Sequence, residues 1–203
     1  MRPVTAATGP AQAPDEAAHA HRPMRADARR NYDRLVNAAR VVLSQRGSEA
    51  SMEEIAKAAD VGVGTLYRHF PRRIDLVEAV YRDDVQGLVA LADTVAEELS
   101  PWDALIEWLS GFVRYAQAKR VFLNELHEAF EKSPDLALSS REKIAAAAGT
   151  VLSRAQQAGV ARNDIDGRDL MQLVGGMCMA SNSTLAGNER LLNLVLDGVR
   201  AQR

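Results

Sequence analysis

A chain of 203 residues accommodates one compact domain or a small domain fused to a larger one, and 47% apolar residues suffice for a buried core. The net charge of −2 excludes a uniformly basic nucleic-acid coat, but the charge is uneven: residues 22–82 carry 12 Lys and Arg against 8 Asp and Glu, whereas residues 83–203 carry 12 against 17. A cationic segment on an anionic body points to one end that meets a polyanion.

Four of the seven prolines fall in the first 23 residues, with many alanines and with Asp15 and Glu16 among them. No continuous apolar stretch of the kind a secretion signal needs is present, so residues 1–24 are expected to form a disordered leader. From there on the periodicity is helical, no alternating strand stands out, and the expectation is an all-α fold of about nine helices. The first should run from Ala26 to Gln45 with Leu35, Ala38, Ala39 and Val42 on its inner face, and Gly47 stands where a left-handed C-terminal residue is wanted. Ser51 and Glu54 form a capping box that opens a short helix to Ala59, with Ile55, Ala56 and Ala59 inward. Asp60, Val61 and Gly62 make a tight turn, and Val63 to Phe70 is a second short helix.

Arg72 to Leu99 reads as a long helix with Leu76, Val80, Leu88, Leu91 and Val95 buried. Ser100-Pro101 is an N-cap followed by proline at the first helical position. The helix it opens has two apolar stripes, as expected of an internal helix. Arg120 to Glu131 follows, with Phe122, Leu126 and Phe130 in register. Ser133-Pro134 starts a helix carrying Ile144, Ala148, Val151, Leu152 and Ala155, and Gly159 ends it. Asp166 caps a helix from Gly167 to about Ala186, and the last runs from Asn188 to Arg200. The uncharged run Leu170–Asn188 is long enough to raise the membrane question. It holds Gln172, three glycines and the polar run from Ser181 to Thr184, so a buried helix is expected and no membrane partner.

Two short helices joined by a tight turn and packed on a longer one form a helix-turn-helix. The second must enter the major groove, so its outer flank cannot be apolar: Thr65, Arg68 and His69 point outward while Leu66 and Phe70 pack inward. Gly64 permits close approach, Tyr67 and His69 have polar tips for phosphate, and Arg72 and Arg73 follow. Arg25, Arg29 and Arg30 are either solvated charge or a basic arm.

The segments Ser51-Met-Glu-Glu-Ile-Ala and Val61-Gly-Val-Gly-Thr-Leu-Tyr-Arg-His-Phe-Pro-Arg-Arg-Ile-Asp-Leu resemble the signature of the TetR/AcrR family of transcriptional regulators. The resemblance implies a DNA-binding domain over residues 25–75 and an effector-binding and dimerisation domain over residues 76–203. It implies a cytoplasmic homodimer, most simply a repressor, that binds double-stranded operator DNA and is released by a small-molecule effector. Position by position it assigns Ser51 to phosphate, Val63, Gly64 and Thr65 to the groove-facing start of the recognition helix, Tyr67 and His69 to backbone phosphates, and Arg73 to the place of a phosphate-contacting lysine. Two positions depart from the pattern: Asp60 stands where glycine is common, and Gly62 replaces a serine N-cap. Trp102-Asp-Ala-Leu, the Lys119-Arg120 region and Leu173-Val-Gly-Gly resemble regulators with an SbtR-like C-terminal domain.

Trp108, Phe112, Tyr115, Phe122, His127, Phe130 and Met171 fit either a plain helical core or the lining of an effector cavity, and buried Tyr115 and His127 would need polar partners. The acidity of the body points to a cationic or neutral ligand, although surface charge does not set the charge of a buried pocket. Gly175, Gly176, Met179 and Ala180, with Leu191, Val195 and Val199 of the last helix, suit a two-fold interface of four helices. Met177-Cys178-Met179 reads as adaptable core packing. Cys178 is the only cysteine, which excludes an internal disulfide and fits a reducing compartment.

The chain lacks the pair of Glu-x-x-His motifs of di-iron bundles, a Walker-type loop and a nucleophile elbow. Two of its four histidines, His19 and His21, lie in the leader. No enzyme, metal or cofactor is expected. The alternative to a ligand-released repressor is a DNA-binding architectural protein or activator without a pocket.

Overall fold

The computed structural model describes residues 16–180 and 184–201, with side chains from residue 26 onward. Among these residues it is helical throughout: α1 (Glu16–Arg46), α2 (Met52–Ala58), α3 (Val63–His69), α4 (Arg73–Glu98), α5 (Pro101–Lys119), α6 (Leu123–Lys132), α7 (Pro134–Gln157), α8 (Gly167–Met179) and α9 (Leu185–Val199), plus short 3-10 turns at Gly47–Glu49 and Arg120–Phe122. The expected start of the first helix needs correction, since α1 begins at Glu16 and not at Ala26. The rest of the expected leader, residues 1–15, lies outside the described residues.

Local chemistry sets the head. α1 buries Leu35, Val36, Ala39 and Leu43 on one stripe, and Gly47 ends it with a φ of +55°. The Ser51 hydroxyl accepts from the Glu54 backbone N–H while the Glu54 carboxylate accepts from the Ser51 N–H, which completes the capping box; such a cap stabilises by about 1 kcal/mol. Asp60 takes the left-handed conformation of the turn at φ 49°. Arg34 of α1 holds it there, donating to the Asp60 carbonyl at 2.8 Å and its carboxylate at 2.7 Å. Gly62 caps α3 with backbone alone. The departure at Asp60 is thus answered by a partner in α1, and the departure at Gly62 removes a side-chain contact without disturbing the helix.

α4 runs on from the head into the body, where it packs on α5 and α7; α8 lies on α7, and α9 on α5. Trp108 of α5 is fully buried and donates its indole N–H to the Leu88 carbonyl of α4 at 3.0 Å. Removing such a side chain costs about 3–5 kcal/mol. Asn188, also fully buried, ties α9 to α5 through Gln117. α7 and α8 come close at Gly167, where a Cβ would lie 2.7 Å from the Ala145 carbonyl and 2.8 Å from the Gly149 Cα.

Three boundaries differ from expectation. The run from Arg120 to Glu131 is not one helix, because a 3-10 turn at Arg120–Phe122 precedes α6. α8 stops at Met179, short of the expected Ala186; residues 181–183 lie outside the described residues. α9 starts at Leu185, three residues before Asn188, with the Thr184 hydroxyl capping the Gly187 N–H. No helix among the described residues is long and apolar enough to cross a membrane.

Candidate functional site

The candidate surface is built from α2, the Asp60 turn and α3. Leu66 and Phe70 are buried and anchor α3 on α1 and α2. Val63, Gly64, Tyr67 and Arg68 are exposed, and Thr65 and His69 are half-buried. A helix with two apolar anchors inside and a polar, glycine-containing flank outside can be read by a DNA groove without unburying its own core. The Tyr67 hydroxyl donates to the Glu53 carboxylate of α2 at 3.2 Å, which fixes the phenol at the rim of this surface. The His69 ring meets the edge of Tyr32 in α1, ring centres 6.1 Å apart. Ser51 is half-buried, its hydroxyl occupied by the cap.

Arg72 keeps an exposed side chain while bonding Asp75, whose carboxylate also accepts the Arg72 backbone N–H. The Arg72 guanidinium holds the Asp75 carboxyl below its ordinary range. Arg73, expected at a phosphate, does not face the α3 surface in this structure. Its guanidinium turns inward and donates to the carbonyls of Ala50 and Gly47 and to the Glu125 carboxylate of α6. Arg72 is the extended N-cap residue and Arg73 the first residue of α4, so the two side chains diverge: Arg72 faces out and Arg73 becomes the clamp of head on body. Arg29 and Arg30 pair with Asp33 and Asp27 on α1; the side chain of Arg25 lies outside the described residues.

The body contains a cavity of about 610 Å³ walled by α4 to α8. Of the seven expected lining residues, four are there: Phe112, Tyr115, Phe130 and Met171. Three are not. Trp108 is core behind Phe112, stacked on it with ring centres 6.2 Å apart. Phe122 is buried below Lys119, outside the lining. His127 lies on the outer face of α6, its side chain 78% exposed beside Glu131. An aromatic stripe reports burial but not what it is buried against, and the α6 face that reaches the cavity is Leu123, Leu126 and Phe130.

Sequence reasoning missed the charged wall of this cavity. Lys119 is 4% exposed and lines it, with Nζ 2.5 Å from the Asp84 carboxylate and 4.6 Å from the Tyr115 ring centre. Asp84 in turn accepts from Arg40 of α1 at 2.5 Å, and Arg40 also bonds Asp83. Burial pulls the Lys119 ammonium below its ordinary range, and Asp84 works against that fall. Burial also pushes the Tyr115 phenol well up, which keeps it neutral. The signal was present: Lys119 continues the buried register of Phe112, Tyr115 and Ala116, and Asp84 that of Val80 and Leu88.

α8 and α9 present an apolar face to solvent around a groove of about 1000 Å³, lined by Leu173, Gly176, Ala180, Leu191, Leu194 and Val195. Leu194 is 67% exposed and Leu173 is 55% exposed; neither was assigned to the interface from the sequence. Two of the expected interface residues border the cavity instead, and a third is buried at the floor of the groove. Gly175 faces the cavity, where a Cβ would touch Phe112. Met179 is exposed but borders the cavity. Val199 is buried within the protomer, although it reaches the floor of the groove. Among the described residues there is no cluster of metal-ligating side chains.

Residues 35–80 match the family model of bacterial regulatory proteins of the tetR family, and residues 100–201 match the C-terminal domain of SbtR-like transcriptional regulators. The chain is similar to the TetR transcriptional regulator SCO0520 from Streptomyces coelicolor, with 37% identity over 85% of this chain and 99% of that one and a TM-score of 0.77. It is similar to a TetR regulatory protein from Mycobacterium vanbaalenii, with 33% identity, coverage of 88% and 100%, and a TM-score of 0.71. It is also 28% identical to the HTH-type transcriptional regulator UidR of Escherichia coli K12 over 147 residues, 70% of this chain and 75% of the relative. With the projecting α3, the helical body behind it and both family models matched, this chain belongs to the TetR family of DNA-binding transcriptional regulators.

Proposed function

We propose that the protein is a homodimeric repressor that holds operator DNA with two copies of α3 and lets go when a small molecule fills the cavity of the body. The observation that carries this reading is the connection of the cavity to the head through α6 and α4. Leu123, Leu126 and Phe130 of α6 line the cavity, and from the same helix Glu125 bonds Arg73, which holds the carbonyls of Gly47 and Ala50 directly before α2. A ligand that shifts α6 acts on the segment that sets the head, and so favours one head arrangement over another.

The DNA contacts in this reading are Val63, Gly64, Thr65 and Arg68 toward the groove, with Ser51, Tyr67, His69 and Arg72 around it. Two heads must reach half-sites about one helical turn or more apart, which a second copy packed on the α8–α9 face supplies. The absence of charge over Leu173, Leu191, Leu194 and Val195 supports that occupant. A cavity of this size argues against an architectural protein with a solid body.

The test is fluorescence anisotropy with a duplex that the protein selects from a random pool. Sequence-preferring binding at a stoichiometry of two chains per duplex, abolished on adding a molecule that raises the protein's melting temperature, is the expected result. Equal affinity for all duplexes, or selective binding that no stabilising molecule weakens, would defeat it.

A further inference from the structure

The cavity wall is mostly apolar, yet its charged members have one predominant sign. Three cationic side chains border it, Lys119, Arg141 and Arg168, against one carboxylate, Glu142. Arg141 and Arg168 are exposed, whereas Lys119 is almost wholly buried. Asp84, the partner of Lys119, does not line the cavity. The positive end of that ion pair therefore faces the cavity and the negative end faces α1. A buried ammonium in apolar surroundings is costly unless it is paired, and one carboxylate behind it leaves its front surface without an anionic neighbour. The front is met by the faces of Tyr115 and Tyr81, with Nζ 4.6 and 5.2 Å from the ring centres. Such faces stabilise a cation weakly compared with a carboxylate.

We infer that the cavity takes an amphipathic organic anion, an acid with an apolar or aromatic body, its carboxylate set against Lys119 and its body between Phe112, Phe130 and Met171. This inference rests on the cavity being the effector site and adds the class of effector. It reverses the expectation of a cationic or neutral ligand drawn from the acidity of the body, because the exposed carboxylates of the body are not the groups that line the cavity. Arg141 and Arg168 attract the anion at the mouth; Lys119 reads it inside. The same ammonium bonds Asp84, and Asp84 bonds Arg40 of α1, so an anion that shares Lys119 also alters the hold on a helix of the head.

Three probes with one body and different ends separate the possibilities: 6-phenylhexanoate, 6-phenylhexanol and 6-phenylhexylammonium, titrated calorimetrically into the full-length protein. The carboxylate should bind at least about tenfold more tightly than the alcohol, and the ammonium more weakly than either. Lys119→Met should bring the carboxylate down to the affinity of the alcohol. Because that variant strips a buried partner from Asp84, the exposed pair Arg141→Ala and Arg168→Ala serves beside it; it should slow carboxylate association and make the rate insensitive to salt. Equal affinity for carboxylate and alcohol would overturn the anion assignment while leaving the effector site standing. Tighter binding of the ammonium would overturn it in favour of the opposite charge. Binding of the carboxylate that Lys119→Met leaves intact would likewise overturn it. If all three probes bind nowhere near the cavity, as judged by an unchanged response in Phe130→Trp protein, both the anion assignment and the effector site fall.

Discussion

Arg73 and Glu125 face each other at the seam between head and body, Nη2 3.3 Å from Oε1, with Arg73 simultaneously holding the Gly47 and Ala50 carbonyls. A residue that occupies the place of a phosphate contact in the sequence is in this fold a bracket between helices. Arg68, by contrast, stands on the exposed flank of α3.

The two arginines therefore separate by assay. Arg68→Ala should leave the melting temperature unchanged and lower the salt slope of DNA binding by about one unit for each phosphate that Arg68 neutralises. Arg73→Ala should cost about 1–3 kcal/mol of folding stability, because it strands the Ala50 carbonyl and a half-buried carboxylate, and should leave the salt slope as it was. Urea titration and anisotropy at several salt concentrations check both. A lowered slope in Arg73→Ala with unchanged stability would restore it to the DNA surface.

Gly47 makes a second test of the seam. Its φ is +55°, and a Cβ there would sit 2.7 Å from the Val121 carbonyl and 2.9 Å from its Cγ1. Left-handed backbone costs a non-glycine residue about 1–2 kcal/mol and overpacking about 1–3 more. Gly47→Ala should then destabilise by about 2 kcal/mol or more, read as a shift of the urea midpoint; an unshifted midpoint would mean that the 3-10 turn at residues 120–122 gives way freely.

The α8–α9 face predicts its own disruption. Leu194→Asp places a charge at the most exposed large apolar side chain of that face. Because a two-fold interface uses each residue twice, the dimer dissociation constant should rise by about 30-fold or more, the equivalent of about 2 kcal/mol. Sedimentation equilibrium reports it. A wild-type protein that sediments as a monomer at all concentrations would remove the premise.

Acid should weaken the fold through its caps. The backbone N–H of Ser51 holds the Glu54 carboxyl below its ordinary 4.5. The backbone N–H groups of Asp169 and Arg168 hold Asp166 below 3.8, and Arg72 does the same for Asp75. Each folded-state value is depressed, so the stabilisation is fully present above the ordinary values and is lost as pH falls through the lower ones. The urea midpoint should drop between about pH 5 and about pH 3. The triple variant Glu54→Gln, Asp75→Asn, Asp166→Asn should start lower and fall less. An identical acid slope in the variant would assign the loss to other carboxylates.

The head was legible because its determinants are short-range. Ser51 and Glu54 are three residues apart and the turn at residues 60–62 joins two adjacent short helices, so both capping and turn could be read from neighbours. The body was legible only as buried stripes. Trp108 and Phe112 are four residues apart on α5, yet only Phe112 reaches the cavity, because which neighbour lies opposite depends on helices far away in sequence. His127 sits between residues of the α6 stripe but turns outward, a rotation of one position that periodicity over so short a helix does not fix. The break after Met179 lies inside an uncharged run, where no proline or charge marks it. The inward contacts of Arg73 were not legible for the reason Arg34 was overlooked: its partners are 23, 26 and 52 residues away.

At the crossing of α7 and α8, Gly167 brings backbone against backbone, with the Gly149 amide nitrogen 2.7 Å from where a side chain would begin. Atoms in such contact have no soft methyls between them to absorb a shove. Close-packed interiors transmit strain, so a displacement of α7 at this crossing would meet the backbone of α8 directly, with no side chain between them to change rotamer.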